Sequence, residues 1–396
     1  MCVQLKTGKK FTGLLLMLNK KLGYYTCNGK EFDSKIAAIL ESNSTQQPVQ
    51  WLFNNQAFDN FKWDQEPATE LDALYDRRCR ELREQYDYLV LSYSGGSDSH
   101  NILMSFHRQG LLLDEVISNW NIEASKKYTI LDPTITHSFN QNAEYELHVR
   151  SQLQWITDNM PQTRVTFVDA SRSILNFFQS TEEDWVVNNS REPLNPGVMQ
   201  RFNYLNLKEV NQRVDRTKNI GIIVGVDKPR IQLQDNKLYF YLLDSLSNIT
   251  PIAPHFKDYD NTTVEYFYWA PESLEMIAKQ CHAVLKFLNL NPQYRTIFSR
   301  QRDWTSRNHQ EQFLRRILYS TTWDNSWFQV SKPLHDWECE MDNWFIDQFK
   351  GTKVVKNWEA GLEYLEKTLD KSYFRTNTRG LVSYESQHYY VGDLTV

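Results

Sequence analysis

Apolar positions along this chain change their period from segment to segment, and that change predicts its elements. The run "YLVLSY" from Tyr88 to Tyr93 is almost unbroken in apolar character, as expected of a strand covered on both faces. Short runs of the same kind recur in "DEVISNW" (114–120), "RVTFVDAS" (164–171) and "NIGIIVGVD" (219–227), and each predicts a strand. Helical spacing fills the intervals: a helix after Asp98, then "NAEYELHVRSQLQWITDN", "SRSILNFFQS" and a stretch near Met199 to Val214. Upstream, Leu71, Leu74, Arg78 and Leu82 fall on one helical face behind Thr69 as N-cap. Strands separated by helices predict βαβ units, hence an α/β protein with a parallel, doubly wound sheet covered on both faces.

The flanks have a different rhythm. Residues 1–65 predict a small α+β lobe, with a hairpin at Asn28-Gly29 in "GYYTCNGKEF" and a helix from Ser34 as cap through Leu40. "RIQLQDNKLYFYLLDS" predicts two strands around Asp235-Asn236. From residue 259 onward the pattern is mainly helical and tryptophan-rich. Its clearest helix, "PESLEMIAKQCHAVLKFLNL", aligns Leu274, Ile277, Cys281, Val284, Leu285 and Leu288. The closing "GLVSYESQHYYVGDL" predicts a terminal strand pair. Three regions follow: the lobe 1–65, a central domain 66–258 and a helical region 259–396 for substrate or partner contacts.

Composition narrows the class without naming a function. Of 396 residues 41% are hydrophobic and 23% charged, an ordinary globular balance, and the net charge of -5 gives no global attraction to nucleic acid or anionic membrane. The five cysteines are dispersed with no CxxC pair, which fits a reduced cytoplasmic protein and argues against a structural zinc site. No apolar run approaches the roughly 18 residues of a membrane span. The segment Phe11 to Leu18 follows basic residues like a signal peptide, but it ends in Asn19-Lys20-Lys21 without a small-residue cleavage site and reads as a buried strand or short helix.

Chemistry concentrates in the loop Ser94-Gly95-Gly96-Ser97-Asp98-Ser99, between the first central strand and its helix. Adjacent glycines let backbone approach a ligand closely, and amides at a helix start favour an anion. Ser94, Ser97 and Ser99 bring hydroxyl donors, and Asp98 brings a hard oxygen suited to Mg²⁺. In open α/β sheets ligands bind beyond the carboxyl ends of the strands, where this loop lies. It is neither GxxxxGK[ST] nor GxGxxG. A second cluster, Asp227, Lys228 and Arg230, follows the strand "GIIVGV" and is expected at the same sheet edge; its plain alternative is a charged turn closed by Pro229.

The SGGSDS stretch resembles the SGGxDS motif of the PP-loop ATP pyrophosphatases, matched at Ser94, Gly95, Gly96, Asp98 and Ser99. That family includes asparagine, GMP, NAD and argininosuccinate synthetases, lysidine synthetase and tRNA-thiolating enzymes. The resemblance covers about residues 86–235. It implies an adenine-nucleotide α-hydrolase-like sheet and the cofactors ATP and Mg²⁺. In such enzymes the loop grips the β- and γ-phosphates, pyrophosphate leaves, and AMP passes to a substrate oxygen before a nucleophile displaces it. Carried over, Ser94 to Ser99 hold pyrophosphate and Asp98 helps to hold the metal. Family members often carry an acidic and a basic group on later strands; "GVDKPR" matches no single subfamily pattern, but it makes Asp227 the candidate second metal ligand and Lys228 and Arg230 the candidates for neutralising the leaving group. Asn119 and Trp120, ending the second strand, are the adenine candidates, with plain packing as the alternative for Trp120.

Departures from family patterns narrow the reaction. Met1-Cys2 matches the start of the glutaminase of asparagine-synthetase-like enzymes, but only about 85 residues precede the loop strand and "CVQLKTGKK" does not resemble that domain. The cysteine pairs of the thiolating relatives are missing, so C–N bond formation on a carboxylate, amide or carbonyl oxygen is expected. The acceptor is expected to be a small molecule rather than a nucleic acid, with no membrane partner and a homo-oligomer left open. One alternative is tRNA or nucleobase modification, for which the basic stretch 299–316 around Trp304 is the pointer and a solvated helix face the plain reading. The other is a non-catalytic nucleotide-binding module. His100 follows the loop directly and is placed either to approach phosphate or on the helix face; His137 and His148 lack ligand spacing, and "HQEQF" at 309 is not HExxH.

Overall fold

Asn28 and Gly29 both have positive φ, 51° and 72°, which is the turn a two-residue hairpin requires. It joins β1 (Tyr24–Cys27) to β2 (Lys30–Phe32), and β3 (Gln50–Leu52) pairs with the other edge of β1. Ser34 Oγ accepts from the Ala37 amide at 3.3 Å and caps the helix Lys35–Thr45. That helix passes the expected end at Leu40 and stops where Gln46 turns left-handed and donates its amide to Ser42 O. These elements come from a computed structural model that describes residues 20–32, 34–135, 140–169, 171, 213–215, 217–226, 228–244, 261–299, 304–329, 340–374 and 380–395. Cys2, Phe11 to Leu18, His137, Asp227 and most of the helices expected at 171–180 and 199–214 lie outside the described residues.

The helix Leu71–Gln85 starts after Glu70 rather than Thr69: Glu70 is extended and its carbonyl takes the Leu74 amide. The chain then enters β4 (Tyr88–Ser92), followed by β5 (Glu115–Trp120), β6 (Arg164–Asp169) and β7 (Ile220–Val224). All five positions of β7 are buried, as are the three central positions of β4, so their unbroken apolar runs match burial on both faces. A hairpin follows, β8 (Arg230–Gln234) and β9 (Lys237–Tyr241), turning at Asp235 and Asn236 with φ of 51° and 58°.

The fifth parallel strand, β10 (Thr262–Tyr266), pairs with β7 and was not singled out by the apolar pattern. Glu265 interrupts it yet is fully buried, accepting from Tyr86 OH at 2.5 Å, Arg78 Nη2 at 3.1 Å and Lys21 Nζ at 3.0 Å. The terminal strand pair is also revised. The end of the chain supplies one strand, β11 (Tyr389–Asp393), which pairs antiparallel with β9.

The main sheet runs β10-β7-β4-β5-β6 with every pairing parallel. In chain order its strands read 5-4-1-2-3, an order compatible with a doubly wound α/β sheet. Direction reverses between β4 and β7. One apolar core runs from Tyr25, Trp51 and Phe53 of the N-terminal lobe through Leu89 and Leu91 to Ile277, Cys281 and Leu288 on the helix Leu274–Leu290. Cys27, Cys79 and Cys281 are free and buried, and burial pushes the Cys79 and Cys281 thiols up. Among the described residues no helix is long and apolar enough to cross a membrane.

Candidate active site

The loop 94–99 leaves β4 beside the point where strand order reverses, and the chain leaving β7 passes its other side. Gly225 makes that passage possible: a Cβ there would stand 3.0 Å from the Ser99 amide nitrogen and 3.2 Å from the Asp98 carbonyl carbon. The second strand exit therefore lies directly on the first turn of the helix Ser97–Arg108.

Within the loop, Gly95 has φ +73°, and a Cβ on it would meet Val149 Cγ2 at 2.4 Å. Gly96 is the extended N-cap and offers no side-chain cap, so the first amides of the helix stay without one. Ser99 braces the loop internally: its hydroxyl donates to Gly96 O at 3.1 Å and accepts from the Ser94 amide at 3.3 Å. The Gly96 amide donates to Ser94 Oγ at 3.3 Å. Ser94 is exposed and Ser97 buried.

Asp98 is the meeting point of three segments. Lys228 Nζ approaches its two carboxylate oxygens at 2.8 and 2.7 Å. Tyr319 OH donates to Oδ1 at 2.7 Å, and Tyr268 OH donates to the Asp98 backbone carbonyl at 2.9 Å. Lys228 also lies 3.2 Å from Glu311 Oε2, and Arg230 Nη1 lies 2.7 Å from Glu311 Oε1. Two cations and two carboxylates alternate along one chain of ion pairs, Asp98–Lys228–Glu311–Arg230, with Lys228 only 3% exposed. Burial pushes the Tyr268 and Tyr319 hydroxyls well up, which keeps both as donors.

Two histidines line the back of the loop. His148 Nε2 lies 3.1 Å from Gly95 O, and His100 Nδ1 lies 3.0 Å from Tyr93 OH. Both rings contact Trp323 and Trp327, with His100 and Trp327 centroids 4.8 Å apart and His148 and Trp327 5.0 Å apart. Burial, and then the neighbouring His148, pushes His100 down to about 4. Burial also lowers His148, partly offset by the Gly95 carbonyl.

The expected residues thus divide. Ser94 to Ser99, Lys228 and Arg230 come together at the carboxyl edge of β4 and β7. Asn119 and Trp120 end the adjacent β5; the Trp120 indole donates to Ser118 Oγ at 2.9 Å and packs against Tyr145. Glu311, Tyr268, Tyr319, His148 and Gly225 were not expected from the sequence. Glu311 sits in the stretch read as a basic helix face, yet it turns to Arg230 and Lys228. Arg315 of that helix bonds Gln329.

No protein-family model matches the sequence, and no curated protein matches it.

Proposed function

We propose that the protein is an ATP-dependent adenylating enzyme of the PP-loop class that cleaves ATP to AMP and pyrophosphate and forms a C–N bond. The observation that carries this reading is Lys228 on Asp98: a cation from the β7 exit meets the glycine-rich loop where the strand order reverses, the usual ligand crevice of such sheets. The exposed Ser94 hydroxyl and the uncapped amides of the helix start suit pyrophosphate oxygens. Lys228 and Arg230 neutralise the charge that builds on pyrophosphate as the Pα–O–Pβ bridge breaks.

In this reading the acceptor is a carboxylate, amide or carbonyl oxygen of a small molecule, which attacks the α-phosphorus, and a nitrogen nucleophile then displaces AMP. Magnesium is implied. Among the described residues no group of three or more His, Cys, Asp or Glu is arranged to hold a metal by itself. Nucleotide-bound Mg²⁺ takes one or two carboxylates and completes its shell with phosphates and water. Asp98, partly exposed on the loop, fits that role, and Asp227 is the second candidate. When bound, the ion supplies neutralisation of the phosphate charge.

The deciding experiment is product analysis of ATP turnover with Mg²⁺ and a panel of carboxylates and amines. AMP with pyrophosphate is the expected outcome. ADP with phosphate would remove the reading.

A further inference from the structure

The helix that leads into β6 contains an irregular turn, and that turn meets the loop. Tyr145–Val149 is π-helical, between the α-helical segments Gln141–Glu144 and Arg150–Asn159. Such a turn holds one extra residue and is frequent at functional sites. Here two consecutive side chains reach one glycine. Val149 fills the space where a Gly95 Cβ would be, and His148 Nε2 meets Gly95 O at 3.1 Å.

A carbonyl oxygen only accepts, so Nε2 carries the proton and donates. The Gly95 carbonyl and the Gly96 N–H belong to one planar trans peptide and point in opposite directions. Fixing the carbonyl toward His148 therefore aims the Gly96 N–H the other way, toward the side of Ser94 Oγ. Gly95, with neither a Cβ nor a φ preference, would otherwise let this peptide rotate.

We propose that His148 is a positioning residue for the phosphate loop, its imidazole N–H holding the Gly95–Gly96 peptide in the orientation that keeps the Gly96 amide on Ser94 Oγ and so fixes the loop shape an anion would meet. The inference rests on the nucleotide reading of the loop. It gives a function to a histidine whose sequence spacing suggests none, and it explains why the ring is buried behind the loop instead of facing a ligand.

Two substitutions separate this role from simple packing. His148→Phe keeps an aromatic ring against Trp323 and Trp327 but removes the N–H. His148→Gln loses the ring but keeps a donor close to the position of Nε2. Binding of inorganic pyrophosphate with Mg²⁺ to the full chain is measured by calorimetry, with urea unfolding in parallel. The expected result is a crossover. His148→Phe binds about tenfold more weakly, the equilibrium equivalent of about one hydrogen bond, whereas His148→Gln stays within about twofold of wild type. In unfolding the order reverses, with the Phe variant nearer wild type. Wild-type affinity in His148→Phe, or equal weakening in both variants, would overturn the positioning role and leave the loop reading standing. A wild-type chain that binds no pyrophosphate would overturn the loop reading, and this inference with it.

Discussion

Lys228 Nζ lies 2.8 Å from Asp98 Oδ1 and 2.7 Å from Oδ2, joining the loop after β4 to the chain leaving β7 across 130 positions of sequence. The contact is charge-assisted on both oxygens, and Tyr319 adds a third donor to the same carboxylate. Asp98 thus receives three hydrogen bonds from the chain itself, the preorganisation that the proposed nucleotide chemistry would require. Asp98→Ala is expected to abolish AMP release, and Asp98→Asn to reduce it at least about 100-fold. Lys228 keeps Glu311 at 3.2 Å, so the fold survives at a cost of about 1–3 kcal/mol in urea unfolding. Turnover within a few-fold of wild type would remove Asp98 from the mechanism.

Glu311 presents a different case, because its charge has the sign of the proposed ligand. It pairs with Lys228 and Arg230, the two cations proposed to neutralise pyrophosphate. An incoming pyrophosphate competes for them and meets a like charge. Glu311→Gln is expected to bind Mg²⁺-pyrophosphate about tenfold more tightly while unfolding at lower urea than wild type. Weaker binding in that variant would show that Glu311 supports the ligand instead of competing with it.

The buried histidines make stability depend on pH. His100 is pushed down to about 4 by burial and then by His148, whereas an unfolded histidine titrates near 6.5. Between these values the unfolded chain holds a proton that the folded chain lacks, so unfolding free energy falls as pH falls, and the contribution is fully present above about pH 6.5. From pH 7.5 to 5.0 the expected loss from His100 is on the order of 2 kcal/mol. Urea unfolding of wild type and His100→Asn at both values measures it. Asn keeps a polar group near the Tyr93 hydroxyl but cannot titrate. The wild-type chain should lose the larger stability, and identical losses would mean that His100 is not held neutral.

Much of this arrangement was legible because burial on both faces leaves a simple trace. Leu89, Val90 and Leu91 of β4 and Ile222, Ile223 and Val224 of β7 are unbroken apolar runs, and both hairpins carried their turn residues. What escaped was whatever depends on distant partners. Glu265 disguised β10, because a buried carboxylate inside a strand is acceptable only with Arg78, Lys21 and Tyr86 around it. Glu311 looked like part of a solvated basic face, since its role depends on which way its helix turns toward Arg230, 81 residues earlier. His148 was hidden by the π turn, which breaks the 3.6-residue period on which a helical projection relies. Periodicity reports burial, not the partner that makes burial of a charge tolerable.

Two glycines with nearly the same backbone angle separate the loop's conformational demand from its steric one. Gly29 has φ +72° with nothing within 4 Å of the point where a Cβ would stand, whereas Gly95 has φ +73° with Val149 Cγ2 at 2.4 Å and Cβ at 3.3 Å from that point. Gly29→Ala is expected to cost about 1–2 kcal/mol, the left-handed penalty alone. Gly95→Ala adds overpacking of about 1–3 kcal/mol, because valine is branched at Cβ and cannot rotate its methyls far from the contact. The double change Gly95→Ala with Val149→Ala tests this assignment, since removing the valine methyls should recover the steric part and leave the backbone part. Urea unfolding of the two single variants and the double variant gives the coupling, expected at about 1–3 kcal/mol in favour of the double. Strictly additive effects would mean that Val149 is not what Gly95 makes room for.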